Sequence, residues 1–103
     1  MAPPRSFRRV YRSFAAIDFD PVKSDEVLAA RGFDLPYVSL VFPGYVLERE
    51  DNRRYNETRY QVIAELNGKI YFLVYTRRGS ICRLITAWEA DSDTRSIWFD
   101  AHT

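Results

Sequence analysis

The sequence predicts an α+β domain: two N-terminal helices, a four-stranded antiparallel meander sheet and a C-terminal helix. Three observations lead there. Residues 20–42 carry helical spacing set between capping residues. Residues 45–88 change to strand-like runs, broken at Asn67-Gly68 and again at Arg77-Arg78-Gly79. Residues 89–99 end in Ile97, Trp98 and Phe99, which suit a last helix docked on the sheet.

The elements follow in order. Residues 1–13 form a basic N-terminal arm, with Arg5, Arg8, Arg9 and Arg12 and no acid, a local charge of +4. Pro3-Pro4 extends its start, and Phe7, Val10 and Tyr11 are interleaved with the arginines. Two readings stay open for this arm. It packs on the domain as an edge strand or first helix, or it grips nucleic acid or an acidic partner. Residues 14–103 then make a single domain. Asp20 is a good N-cap and Pro21 suits the first helical position. Val22, Val27, Leu28, Ala29 and Ala30 form the apolar stripe, and Gly32 is a fitting stop. A second helix over 35–42 is capped by Asp34, turns Leu35, Val38, Val41 and Phe42 inward, and ends at Pro43-Gly44.

Residues 45–50 read as a strand running into a polar loop at 51–56. Residues 57–66 alternate, with Tyr60, Val62, Ala64 and Leu66 on one side and Glu57, Arg59, Gln61 and Glu65 on the other. Asn67-Gly68 is the sequence of a type I′ hairpin turn. Residues 69–76 are apolar on both faces, as a central strand requires, and residues 80–88 form the last strand.

Composition excludes several function classes. The chain has 103 residues, 47% hydrophobic and 28% charged, which fits one globular domain and not a disordered chain. No run approaches the ~18 apolar residues of a membrane span. Cys82 is the only cysteine, so no intramolecular disulfide forms, and a reducing cytoplasm fits. His102 is the only histidine. One Cys and one His do not make a closed zinc set, and the four glycines form no phosphate loop, so no cofactor is expected. The net charge of +1 hides an uneven choice of base: 13 arginines against two lysines, Lys23 and Lys69. Arginine's planar fork suits phosphate and carboxylate.

Register indicates where those arginines gather. The Asn67-Gly68 turn sets Leu66 opposite Lys69, Val62 opposite Leu73 and Tyr60 opposite Tyr75. The next turn is open. A two-residue Arg78-Gly79 loop puts Arg83 opposite Val74, in a row with Gln61 and diagonal to Arg59. A three-residue loop moves it to the Tyr60 side. Either way Arg83 lies between Ile81 and Ile85, where an arginine has two explanations. One is a structural ion pair, with Glu57 or Glu65. The other is an anion site on which Arg59, Arg77, Arg78 and Arg83 converge to hold a phosphodiester, with Glu57 as general base and tyrosines stacking on bases.

At this point the residues resemble the BrnT toxins of type II toxin–antitoxin modules. The helix opening Asp18-Phe19-Asp20-Pro21-Val22-Lys23 is similar to the family's aromatic-Asp-Pro-x-Lys start, and Gly32 falls where the family places its helix-ending glycine. Val41-Phe42 matches the apolar end of the second helix. Glu57-Thr58-Arg59-Tyr60 resembles the family's Glu-x-Arg-Tyr/Phe strand start. Arg78-Gly79 and Arg83-Leu84-Ile85-Thr86-Ala87 resemble its last hairpin. Four positions depart: Arg31 stands for the usual His, Val27 for Asn, Trp88 for the closing Arg, and Thr94 for Glu.

The resemblance implies a RelE-like fold and a metal-independent RNA endonuclease that inhibits translation. It implies neutralisation by a ribbon-helix-helix (BrnA-like) antitoxin, with operator DNA met only through that antitoxin and no membrane partner. Lys23, Glu57, Arg59 and Arg83 would carry catalysis. Arg31, Arg77, Arg78 and Tyr60 would bind the RNA. The departures leave a second reading open, a BrnT-like partner-binding protein without ribonuclease activity. The basic arm alone motivates a third, a nucleic-acid binder unrelated to toxins. For the antitoxin contact, the acidic tail (Glu89, Asp91, Asp93 and Asp100 against Arg95) and Trp88 or Trp98 are candidates, with core packing the ordinary role for both indoles.

Overall fold

The predicted meander lies at the centre of a larger sheet. The computed structural model describes residues 6–51 and 56–103. Pro3-Pro4, Arg5 and most of the polar loop, residues 52–55, fall outside these. The elements run β1 (Arg8–Arg12), β2 (Ala16–Phe19), α1 (Pro21–Arg31), α2 (Leu35–Val38) with a 3-10 turn (Ser39–Val41), β3 (Gly44–Asp51), β4 (Arg59–Leu66), β5 (Lys69–Arg78), β6 (Ile81–Glu89) and α3 (Ser92–Ala101). Strand order is β1-β3-β4-β5-β6-β2. β3 to β6 form the antiparallel meander. β1 extends it antiparallel to β3, and β2 extends it parallel to β6.

Two expectations are therefore corrected. The sheet has six strands and is mixed, whereas the sequence predicted four strands, all antiparallel. Two strands also precede the helices. In β1 three arginines surround one inward apolar residue, Val10, so alternation is faint. β2 has four residues, and its parallel partner β6 lies more than sixty residues later, a pairing no local pattern announces. Thus part of the basic arm is an edge strand.

The capping logic carries through. The Asp20 side chain accepts from the Val22 N–H at 3.0 Å, and Asp34 accepts from Tyr37 at 3.0 Å. Gly32 ends α1 at φ 82°, a left-handed conformation natural to glycine. The second helix is one turn of α-helix followed by the 3-10 turn, ending where Pro43 interrupts. Asn67 and Gly68 both take positive φ, as a type I′ turn requires, and the β4–β5 register is the predicted one.

Each face of the sheet has its own core. On one face α1 and α2 cover Val46, Val62, Ala64, Leu73, Tyr75, Cys82 and Leu84 with Val27, Leu35 and Val38. The link at 13–15 packs here too: Phe14 meets Phe42 and Tyr75 edge-on at 5.1 and 5.4 Å. On the other face α3 brings Trp98 onto Leu47, Ile63 and Ile70. Trp98 is thus a core residue, 7% exposed, while Trp88 is 36% exposed. α3 covers only the end of this face near the Asn67-Gly68 turn. At the end near β2 and the β5–β6 turn Arg78 is exposed, Arg59 and Arg83 are partly buried, and Val74 and Thr76 are buried between them.

Cys82 is buried in the helix-side core, as its apolar run suggested. Burial pushes its thiol up to about 12. The neutral thiol therefore stabilises the fold below the ordinary thiol value of about 9, and that contribution is lost as pH rises toward about 12. Native protein at pH 8 is expected to leave Cys82 unmodified by a thiol reagent that reacts with it in denaturant. A fast native-state reaction would contradict this burial.

Candidate functional site

The β2 end of the α3-side face carries the arginines, and β-pairing places them. The β5–β6 turn uses Gly79 and Ser80, so Arg78 stands opposite Ile81 and Arg83 opposite Thr76. Neither turn considered from sequence has this register. Gly79 takes φ 62° in the turn, and a bulge between Val74 and Tyr75 absorbs Ile85 as an extra residue on β6. Through its pairing with Thr76, on the turn side of that bulge, Arg83 lies on the Val74 face.

One row then crosses five strands: Asp51 opposite Arg59, Arg59 opposite Thr76, Thr76 opposite Arg83, and Arg83 opposite Asp18. Two arginines flank a threonine, and an acid closes each end. Thr76 is buried and donates its hydroxyl to the Thr58 carbonyl at 2.7 Å, which ties β5 to the start of β4. Arg83 Nη1 donates to Asp18 Oδ2 at 2.7 Å. The structural partner of Arg83 is therefore Asp18, not Glu57 or Glu65. This hydrogen bond holds the Asp18 carboxyl below its ordinary value, with Arg83 and Arg78 adding charge attraction. Beside the row, Arg49 Nε donates to Gln61 Oε1 at 2.7 Å.

Two further groups border the row. Arg78 points to the same face, its Nη2 3.7 Å from Glu57 Oε1 in an exposed pair. Lys23, in the first turn of α1, lines a pocket of about 260 Å³ with Asp20, Arg83, Leu84 and Ile85. The fold thus sets Arg59, Arg78 and Arg83 on one face, with Glu57 beside Arg78, while Lys23 comes from α1 and meets Arg83 across the pocket they both line. Guanidinium forks of this kind suit phosphate oxygens, and here each stands opposite or beside a carboxylate: Asp51, Glu57 or Asp18.

The remaining sequence candidates lie elsewhere. Arg77 points to the helix-side face, 5.7 Å over the Phe14 ring. Tyr60 is on that side as well, stacked on Tyr75 at 5.1 Å with planes 23° apart. Arg31 is at the far end of α1 and lines a separate pocket of about 400 Å³ with Asp34, Tyr37, Lys69, Tyr71 and Glu89. These three do not join the arginine row.

Sequence reasoning missed Asp18 as a partner, because seeing it needed β2. It also missed a buried cluster on the helix side. Glu48 is 4% exposed and accepts from Arg12 Nε at 3.0 Å, from Arg12 Nη2 at 2.5 Å and from the Tyr75 hydroxyl at 2.5 Å. The Glu48 hydrogen bonds raise the Arg12 value, and burial followed by the Glu48 bond raises that of Tyr75. One signal was present: Glu48 stands at an inward position of β3 between Val46 and the strand end, and a buried acid needs a cation. Among the described residues, no three His, Cys, Asp or Glu side chains are grouped to hold a metal ion, and no helix is long and apolar enough to cross a membrane.

A mixed six-stranded sheet with helices on both faces, carrying on one face three arginines each set opposite or beside an acid, defines a small α+β protein. A family model for BrnT, the ribonuclease toxin of type II toxin–antitoxin systems, matches residues 19–93. The chain belongs to that family, and its system includes an antitoxin. The match spans α1 through the start of α3 and so contains Lys23, Glu57, Arg59, Arg78 and Arg83. No curated protein and no solved structure matches the chain.

Proposed function

We propose that this chain is a toxin that cuts RNA on its arginine face without a metal ion, and that a ribbon-helix-helix antitoxin neutralises it. The observation that carries this reading is the placement of Arg59, Arg78 and Arg83 on one sheet face, with Glu57 beside Arg78 and Lys23 sharing a pocket with Arg83, in a ribonuclease toxin family.

The chemistry follows from those groups. The 2′-hydroxyl of a ribose attacks the adjacent phosphorus, an O2′–P bond forms, and the P–O5′ bond breaks. A 2′,3′-cyclic phosphate and a free 5′-hydroxyl result. Negative charge grows on the non-bridging oxygens, and in this reading Arg83 and Arg59 meet it. Arg78 positions the strand. Glu57 takes the 2′ proton, and Lys23 returns one to the departing oxygen. Asp18 is a positioning residue that aims the Arg83 fork. Arg31, Arg77 and Tyr60 stay in this proposal as contacts to outlying nucleotides.

Purified protein is expected to degrade single-stranded RNA with EDTA present, and its expression to arrest growth unless the antitoxin is supplied. Intact RNA at high protein concentration, with normal growth, would overturn the reading in favour of a BrnT-like partner-binding protein.

A further inference from the structure

Phe72 and Trp88 face each other across β5 and β6, and their rings stack 4.9 Å apart with planes 16° from parallel. Both lie on the arginine face. Trp88 is 36% exposed, in contrast to Trp98, 7% exposed beneath α3. The fold has therefore left one indole out of its core and braced it from behind with a phenyl ring. A rigid aromatic held this way loses little freedom when a flat group stacks on it.

Its placement points to what stacks there. Arg83 stands opposite Thr76, and Trp88 stands opposite Phe72, four residues along β5, or roughly 13 Å. Val74 and Thr86 lie between. The face thus offers guanidinium forks at one end and an exposed π-surface at the other, a span that a short stretch of single-stranded nucleic acid bridges. Phosphate-binding cations beside a stacking ring are the two parts of a single-strand site.

We propose that Trp88, braced by Phe72, is a base-stacking platform for an RNA whose phosphate lies at Arg59 and Arg83. The inference rests on the reading of that face given above and adds a nucleobase subsite to it. Stacking accepts any base, so the subsite favours single strands over duplexes without setting a sequence.

The test uses the full chain and a non-cleavable, single-stranded 2′-O-methyl oligonucleotide. Titration is expected to quench tryptophan emission, and an inorganic polyphosphate chain is expected not to. Trp88→Phe removes the quench and keeps most of the affinity. Trp88→Ala lowers affinity by about tenfold or more. Its slope of log affinity against log salt stays unchanged because no phosphate contact is lost, whereas Arg83→Ala makes that slope shallower. Equal quenching by polyphosphate, or unchanged affinity in folded Trp88→Ala, overturns the proposal. Unchanged RNA affinity with weakened antitoxin binding overturns it too, and assigns Trp88 to a protein contact. The two readings fail separately. Quenching by the oligonucleotide with no cleavage of ordinary RNA leaves the platform standing and sinks the nuclease. Cleavage with the same KM in wild type and Trp88→Ala does the reverse.

Discussion

Arg83→Ala is expected to slow RNA cleavage by roughly 10²–10³-fold while leaving the protein folded. The size follows from what the side chain supplies. A fixed guanidinium aimed at developing phosphate charge acts mainly in the transition state, so its loss appears in the rate more than in ground-state binding. The fold is expected to tolerate the change. Arg83 is only partly buried, and its partner Asp18 is half exposed, so solvent screens the pair and it contributes little to stability. Arg83→Lys keeps the charge and loses the fork, and its rate should fall between the two. Asp18→Asn leaves Arg83 in place with a weaker anchor and should give a smaller loss than Arg83→Ala. Single-turnover rates with thermal unfolding as a control decide this. A rate within twofold of wild type for folded Arg83→Ala would remove Arg83 from the mechanism.

Glu48→Ala is expected to have the largest effect on stability, a loss of about 3 kcal/mol or more. The carboxylate is buried and satisfied three times, twice by Arg12 and once by Tyr75. Removing it strands a guanidinium and a hydroxyl that the fold has taken from water. For a domain of this size the melting temperature should drop by about 12 °C or more. Glu48→Gln keeps an acceptor for Tyr75 but not the charge, and should fall short of that loss. Both variants, assayed below their melting temperatures, should cleave RNA at the wild-type rate, because the cluster lies on the helix side of the sheet. An unchanged melting temperature in Glu48→Ala would show that the network contributes nothing.

What could be read ahead of the structure was local. The caps at Asp20, Asp34 and Gly32, the Asn67-Gly68 turn and the β4–β5 register rest on residues within a few positions of one another. What could not be read was non-local. β2 is recognisable only once β6 is beside it, and without β2 the Asp18–Arg83 pair is invisible. The Gly79-Ser80 turn set Arg83 opposite Thr76, and the Ile85 bulge beyond it shifted the later pairs so that Trp88 meets Phe72. The Gly79-Ser80 turn and strand alternation decide which arginines share a face: Arg59, Arg78 and Arg83 do, while Arg77 turns to Phe14 on the other side. The side taken by Tyr60, by contrast, was legible from alternation. Its strand neighbour Arg59 faces the α3 side, so Tyr60 faces α1 and α2 and packs on Tyr75.

The proposed reaction cuts RNA through the substrate's own 2′-hydroxyl. It is tested most directly by a single-stranded oligoribonucleotide carrying one known cleavage position, compared in EDTA with the same strand made 2′-deoxy at that position alone. The proposed chemistry predicts cleavage of the first strand to a 2′,3′-cyclic phosphate and a 5′-hydroxyl, and an intact bond in the second. Equal cutting of both strands, or a product bearing a 5′-phosphate, would contradict it.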